Sequence, residues 1–440
     1  MKLEMICTGE EVLSGQIVDT NAAWLGNQLM ESGFEMHRRT TVGDRLSDLV
    51  DIFNERSLVA DIILVNGGLG PTADDLSALA MAKAMGVELV EDKTWRARLV
   101  EWAKGRNITL SDSNLKQALL PEGAIMVDNP VGSACGFRVK FNNAWLFFTP
   151  GVPHEYKTMV TEQFIPFVKS ESAVRSHVEV TKLLCIGIGE SDMAEQLETL
   201  DWPQGITLGY RSYTPYLELK LIARDVPKAQ QTAAMLQAKS ALKDCVVAQD
   251  KNTLAAEVHH LLSERNATLA VAESLTGGEI CSQLVAYPGS SHYLKQGVVS
   301  YCNEAKMSLL KVTEKSIVEE TEVSMICAAQ MALGAANANT LINRTDYAIA
   351  TTGIAGPQGG TDTMPVGTVV IAVKAGDVIA CQEISIASTR NRNYIRDLTV
   401  ALAFDMLRRA ILGLPAFAEY NYIKRTNACT YSREELEALS

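Results

Sequence analysis

The sequence predicts an α/β protein: an N-terminal domain on a parallel sheet, a small α+β bridging module, and a C-terminal α/β domain. Three observations predict it. Short apolar runs alternate with amphipathic segments over the first 90 or so residues. Two glycine-rich turns stand far apart, each where an apolar run hands over to a helical pattern. Between them, from about 171 to 250, the alternation changes character. At 440 residues the chain exceeds one ordinary core, so more than one domain is expected. The expected divisions are 1–170, a linker module at 171–250, a domain at 251–415 and a tail at 416–440.

Taken in order, Met5-Ile6-Cys7 reads as a strand, and Thr20-Asn21 can cap a helix through Ala22, Leu25, Leu29 and Met30. Residues 34–42 form a second strand candidate, Leu46, Leu49, Val50 and Phe53 have helical spacing, and 62–65 is a third strand. This βαβ rhythm implies a parallel sheet with ligands at the strand C-terminal ends. Leu146-Phe147-Phe148 is a further strand. In the middle module 179–188 is strand-like, 216–222 alternates as a half-buried strand does, and a helix follows through 233–242. Beyond the polar stretch Asp250-Lys251-Asn252-Thr253, helix, strand and helix patterns resume, with strands at 269–271, 297–301 and 347–350. Residues 367–373 and 379–386 suggest an antiparallel pair, and 394–412 a long helix. The remaining tail is mixed, either packed on a neighbour or mobile.

Composition narrows the partners. A hydrophobic fraction of 47% and a formal charge of -12 suit a globular protein and count against binding nucleic acid or an anionic membrane surface. Nine scattered cysteines with no CxxC pair read as reduced thiols in a cytoplasmic protein. The chain opens directly into a strand-like run, and no stretch has the length of a membrane span. A homodimer is the prior for an enzyme of this size.

The first turn is Gly67-Gly68-Leu69-Gly70-Pro71-Thr72-Ala73-Asp74-Asp75. Backbone amides at a strand-to-helix turn bind anions. Gly67, Gly68 and Gly70 would let the backbone approach a diphosphate, Thr72 offers a hydroxyl, and Asp74 and Asp75 can hold a hard divalent cation. The two aspartates could equally cap the helix. Glu10, Glu11, Asp19, Asn21 and Asp44 could converge from neighbouring strand ends.

The second turn is Ala272-Glu273-Ser274-Leu275-Thr276-Gly277-Gly278. Its half offers no plausible Ser-His-Asp set. Ser274 sits at the turn, with Thr276, Gly277 and Gly278 as substrate-binding groups, and Lys306 follows a strand. A desolvated lysine can lose its proton near neutral pH and activate a serine. Tyr301 could relay a proton or position a substrate ring. Alone, Ser274 could be an ordinary N-cap and Lys306 a solvated cation. Thr352 and Gly353, in Thr351-Thr352-Gly353-Ile354-Ala355-Gly356-Pro357, suit oxyanion or phosphate binding, and Arg392 and Arg396 could meet a phosphate or surface acids.

These motifs, with Thr8-Gly9-Glu10-Glu11, Asp19-Thr20-Asn21, Gly43-Asp44, Pro150-Gly151-Val152-Pro153, Pro288-Gly289-Ser290-Ser291, Tyr301-Cys302-Asn303-Glu304-Ala305-Lys306 and Pro365-Val366-Gly367-Thr368, resemble the competence/damage-inducible CinA family over nearly the whole chain. The resemblance implies an N-terminal three-layer, molybdopterin-binding-like domain that hydrolyses ADP-ribose to AMP and ribose 5-phosphate with a divalent metal and potassium. Glu10, Asp74 and Asp75 would serve the metal, and Gly67, Gly68, Gly70, Thr72, Asn21 and Asp44 the nucleotide. It implies a C-terminal amidase hydrolysing nicotinamide mononucleotide to nicotinate mononucleotide and ammonia without a cofactor. Ser274 would be the nucleophile, Lys306 its base, and Tyr301 and Thr352 supporting groups. The family usually has Asp where Glu10 stands and Pro where Cys135 stands. These two positions favour the alternative of a non-catalytic N-terminal nucleotide or molybdopterin sensor; a competence or repair accessory factor is a second alternative.

Overall fold

The computed structural model describes residues 1–107, 109–172, 177–337 and 344–439. The chain divides into two compact units, Met1–Glu179 and Val180–Ser440. The expected boundary at 170/171 abuts 173–176, which lie outside the described residues.

In the first unit the strands are β1 (Leu3–Thr8), β2 (Met36–Val42), β3 (Ile62–Asn66), β4 (Leu89–Glu91), β5 (Leu119–Pro121), β6 (Ile125–Val127), β7 (Gly136–Phe141) and β8 (Ala144–Thr149). Six of them form one sheet in the order β2-β1-β3-β8-β7-β6. β1 runs parallel to β2 and β3, and β3 parallel to β8. The predicted parallel sheet is in fact mixed, because β7 and β8 pair antiparallel. Only Asn142 and Asn143 join them, and so short a connection cannot reverse the chain into a parallel neighbour. Successive β1 side chains point to opposite faces. Met5 and Cys7 join Leu25, Tyr156 and Phe164 in one core, while Ile6 joins Leu49, Phe53 and Trp95 in another. Two helical layers thus sandwich the sheet, as the apolar runs buried on both faces require.

The second unit begins with β9 (Val178–Cys185), β10 (Ile206–Tyr213), β11 (Tyr216–Arg224) and β12 (Val246–Gln249), a sheet ordered β10-β11-β9-β12. It continues with β13 (Leu269–Glu273), β14 (Leu294–Val299), β15 (Tyr347–Gly353), β16 (Thr368–Ala375), β17 (Val378–Ser385) and β18 (Lys424–Ser432), ordered β14-β13-β15-β16-β17-β18. β13 runs parallel to both neighbours; β15 through β18 are antiparallel, including the predicted β16–β17 pair. Helices Leu254–Arg265 and Arg392–Leu412 cover one face, and helix Met325–Asn337 the other.

The segment set apart at 171–250 has its own four-stranded sheet and its own core around Leu183, Met193, Leu219 and Ala238, while Leu184, Ile186, Tyr216 and Val247 also pack with Leu254, Leu402 and Leu407. The expected tail is neither loose nor separate, since β18 pairs along the whole of β17 and Leu436 is fully buried. Without β18, β17 would present a bare edge of unpaired backbone groups. Among the described residues no helix is long and apolar enough to cross a membrane.

Candidate functional site

In the second unit, the C-terminal ends of the parallel strands β13, β14 and β15 lie side by side and bring the predicted residues together. Ser274 follows β13 directly, and its N–H donates to the Thr351 carbonyl of β15 (3.0 Å). The next residue of β15, Thr352, receives the Lys306 Nζ hydrogen bond at its Oγ1 (2.9 Å). Lys306 lies on helix Asn303–Leu310; its Nζ also donates to the Glu322 carbonyl (2.9 Å), which Thr352 Oγ1 reaches at 2.7 Å. Consecutive residues of one strand thus hold the serine backbone and the lysine head. Lys306 is 2% exposed and makes no ion pair among the described residues. Burial pulls its pKa below the ordinary lysine value, with Cys327, Glu322 and Cys302 acting in the opposite sense. The sequence expected Lys306 to address Ser274; its side-chain partner in the structure is Thr352, and the Ser274 hydroxyl makes no hydrogen bond among the described residues.

The serine turn is shaped by a residue that the sequence reading left without a role. Glu273 is fully buried, and its carboxylate accepts the N–H groups of Gly278 (3.0 Å), Ile280 (3.1 Å) and Cys281 (3.0 Å). These are donors at the start of helix Glu279–Val285, which lack intrahelical partners. The signal was available: a carboxylate at the end of a strand, shortly before a helix whose cap is glycine. Gly278 has φ +95°, a conformation that a side chain would strain. Glu273→Ala leaves these donors without their acceptor. It should cost roughly 3 kcal/mol of stability by urea unfolding and displace the Ser274 turn.

The other predicted groups surround this core of contacts, from buried Thr276 to exposed Tyr301. Thr276 Oγ1 pairs with Thr351 Oγ1 (2.8 Å), and the Thr276 carbonyl accepts from Arg396 Nη2 (2.9 Å). A Cβ on Gly277 would lie 3.7 Å from the same Arg396 nitrogen. Arg392 donates to the Gly356 carbonyl and to the Tyr301 hydroxyl, each at 2.6 Å. Tyr301 stands 62% exposed at the edge. Gly353 ends β15, where a Cβ would strike the Thr368 carbonyl at 2.8 Å. His259, in contrast, packs on Tyr287 and pairs with Tyr293, a core-edge role.

In the first unit a cleft of about 480 Å³ opens at the C-terminal ends of β1, β3 and β8. Gly67, Gly68, Gly70, Thr72, Asp44, Asp74 and Asp75 line it, with Glu11 and Glu155. Gly68 has φ +69°, and a Cβ there would meet Ser77 Oγ at 2.3 Å, so only glycine leaves the cradle open. Asp75 Oδ2 accepts from the Thr72 N–H (2.9 Å) and Oγ1 (2.6 Å), and Lys116 Nζ donates to the Thr72 and Asp75 carbonyls. Asn21 does not line the cleft; it buttresses the wall by donating to the Gly151 carbonyl (2.8 Å).

The predicted metal trio is not gathered. Glu10 is turned out of the cleft and paired with Arg45 Nε (3.1 Å), because its N–H is anchored on Asp44 Oδ2 (3.0 Å) at the start of its short helix. Asp75 holds its own loop. Among the described residues, no three His, Cys, Asp or Glu side chains close into a metal-binding group. The donor chemistry nevertheless suits a hard cation: five carboxylates (Glu11, Asp44, Asp74, Asp75, Glu155) line a glycine cradle. Burial raises the Asp44 pKa, the Glu10 N–H opposes this, and the nearby Glu11, Asp74 and Glu10 carboxylates add to it. Magnesium commonly binds through one or two carboxylates completed by ligand phosphates, and Asp44 and Asp74, which line the cleft and act on each other electrostatically, could serve so.

A family model described as the CinA C-terminal domain matches residues 251–411, and one described as a probable molybdopterin binding domain matches 4–170. The chain is 54% identical over 426 residues to a CinA-like protein of Shewanella sediminis, covering 97% of this chain and 99% of that one. It is 55% identical over 430 residues to a CinA-like protein of Shewanella baltica, with the same coverages. Among solved structures, the protein CinA of Thermoplasma acidophilum is 32% identical, covering 37% of this chain and 97% of its own, with a TM-score of 0.35.

Proposed function

Because the chain belongs to the CinA family, with a molybdopterin-binding-like domain followed by a CinA C-terminal domain, we propose that its second unit hydrolyses the carboxamide of nicotinamide mononucleotide, releasing nicotinate mononucleotide and ammonia. The observation that carries this reading is Lys306, a buried lysine without an ion-pair partner among the described residues, tied to the strand that anchors Ser274. A lysine whose neutral form is favoured by burial can act as a base near neutral pH. Ser274 Oγ attacks the amide carbon and its proton passes to Lys306. Thr352, bonded to that lysine and adjacent to the Ser274 anchor, is the group best placed to relay it. Lys306 then protonates the departing amine, and water hydrolyses the acyl-serine by the reverse proton route. Arg392 and Arg396 retain unused guanidinium donors for a phosphate at the rim. The chemistry draws on no metal. The test is ammonia release from nicotinamide mononucleotide by metal-stripped protein, with nicotinate mononucleotide identified by mass. Folded protein that releases none would reduce this unit to a binding domain.

The acidic glycine cradle of the first unit favours a second activity, hydrolysis of ADP-ribose to AMP and ribose 5-phosphate. A divalent cation bound there would neutralise the diphosphate and act as a Lewis acid. The chain itself supplies the Gly67–Gly68–Gly70 cradle, the Asp44 and Asp74 carboxylates, and Asp75, which sets the loop shape. Asp75→Asn should slow ADP-ribose cleavage by roughly 10–100-fold and leave ammonia release unchanged. Loss of both activities in folded protein would argue against independent sites. Tight ADP-ribose binding without turnover, across several divalent metals, would assign this unit a sensor role instead.

A further inference from the structure

We propose that Cys381 and Cys429 form a reversible disulfide that joins β17 to β18 when the protein meets a peroxide. The two residues are direct partners in the antiparallel ladder. Opposed Cα atoms in such a ladder stand roughly 4.5–5.5 Å apart, inside the span a disulfide bridges. Their side chains therefore share one face of the sheet, and no backbone slip is needed to bring the sulfurs together.

The two thiols are differentiated as attacking and resolving groups are. Cys381 is fully buried, whereas Cys429 is half-buried on the last strand and open to a small oxidant. Hydrogen bonding from Cys381 and from Tyr431, two residues along β18, favours the Cys429 thiolate against the opposing effect of burial. Burial and the neighbouring Cys429 keep Cys381 a thiol. Cys429 Sγ also lies 3.6 Å from Met325 Sδ, so the pocket around it is sulfur-rich. Among the other cysteines, Cys185 and Cys245 also lie near each other, but burial raises the pKa of both. Cys7, Cys135 and Cys327 are likewise buried with raised pKa values, burial and Glu273 push up the half-buried Cys281, and exposed Cys302 sits on a helix start away from this ladder.

The chemistry balances with hydrogen peroxide as the two-electron oxidant. The Cys429 thiolate attacks one peroxide oxygen and the O–O bond breaks. The departing hydroxide takes up a proton to become water, leaving a Cys429 sulfenic acid. The Cys381 sulfur then attacks Cys429 Sγ, the S–O bond breaks, and the hydroxyl leaves with the Cys381 proton as a second water. A dithiol reductant reverses the bond by exchange.

The test treats the full-length protein with one or a few equivalents of hydrogen peroxide, followed by alkylation and peptide mass analysis without reduction. The expected result is a cross-linked peptide pair containing Cys381 and Cys429, with the intact mass lower by about 2 Da, restored by dithiothreitol. Amide hydrogen exchange should slow in residues 424–432 of the oxidised form. Cys381→Ser should leave Cys429 as the first residue to oxidise, stopping at the sulfenic acid or beyond, and this variant retains the β17–β18 backbone ladder. Oxidation falling first on Cys302 with Cys381 and Cys429 both still alkylated, or Cys429 proceeding to sulfinic acid in the unsubstituted protein without a cross-link, would overturn the proposal.

Discussion

Replacing Ser274 with alanine is expected to abolish ammonia release from nicotinamide mononucleotide, a loss of at least about 10³-fold, as for other enzymes stripped of their nucleophile. The variant should fold as the unsubstituted protein does. The Ser274 hydroxyl makes no hydrogen bond among the described residues, and the contact that places the residue, N–H to the Thr351 carbonyl, is backbone and survives. Stability should therefore stay within about 0.5 kcal/mol. Glu273 continues to hold the turn, so substrate binding should persist and the loss should fall on kcat. Turnover assays beside equilibrium binding of the nucleotide separate the two. An undiminished rate in Ser274→Ala would remove it from the nucleophile role and turn attention to Thr352, the hydroxyl in contact with Lys306.

Lys306→Met should abolish the same activity while making the protein more stable at neutral pH. The lysine pKa is lowered in the folded state, chiefly by desolvation. Below that lowered value the folded protein must carry a buried ammonium, which opposes folding. As pH rises from there toward the ordinary lysine value, the unfolded chain binds more protons than the native one, so stability increases with pH. Methionine removes the buried charge, keeps a similar volume, and leaves Thr352 Oγ1 bonded to the Glu322 carbonyl. A gain on the order of 1 kcal/mol at neutral pH is expected, shrinking as the solution is made alkaline. The activity of the unsubstituted enzyme should rise with pH through the same titration, because the base must be neutral to accept the Ser274 proton. Thermal melts of both proteins across pH, beside a pH–rate profile, check this. A methionine variant less stable than its parent at neutral pH would show that the lysine hydrogen bonds outweigh its desolvation.

Much of this arrangement is local in origin and therefore legible in sequence. The run 62–65 before Gly67-Gly68 had to be a buried strand opening into a turn, and the structure has β3 there, buried along its length. Ser274 after 269–271, and Lys306 on the helix beyond the next strand, follow from the same alternation of apolar periods. The predicted metal trio stands apart for a related reason. Glu10, Asp74 and Asp75 are all near strand ends, but whether a carboxylate faces the cleft depends on its hydrogen bonds. Asp44 and Arg45 take Glu10 away, and Thr72 occupies Asp75.

The sequence by itself determined the order of layers, the two glycine turns, and which polar residues stand at strand ends, since each is written in the periodicity of one short segment. Only the tertiary structure decided that Thr351 anchors Ser274 while Thr352 holds Lys306, and that β18 closes the sheet to set Cys429 against Cys381. Those contacts join residues far apart in the chain, and their register is set by packing between elements, which no local pattern encodes.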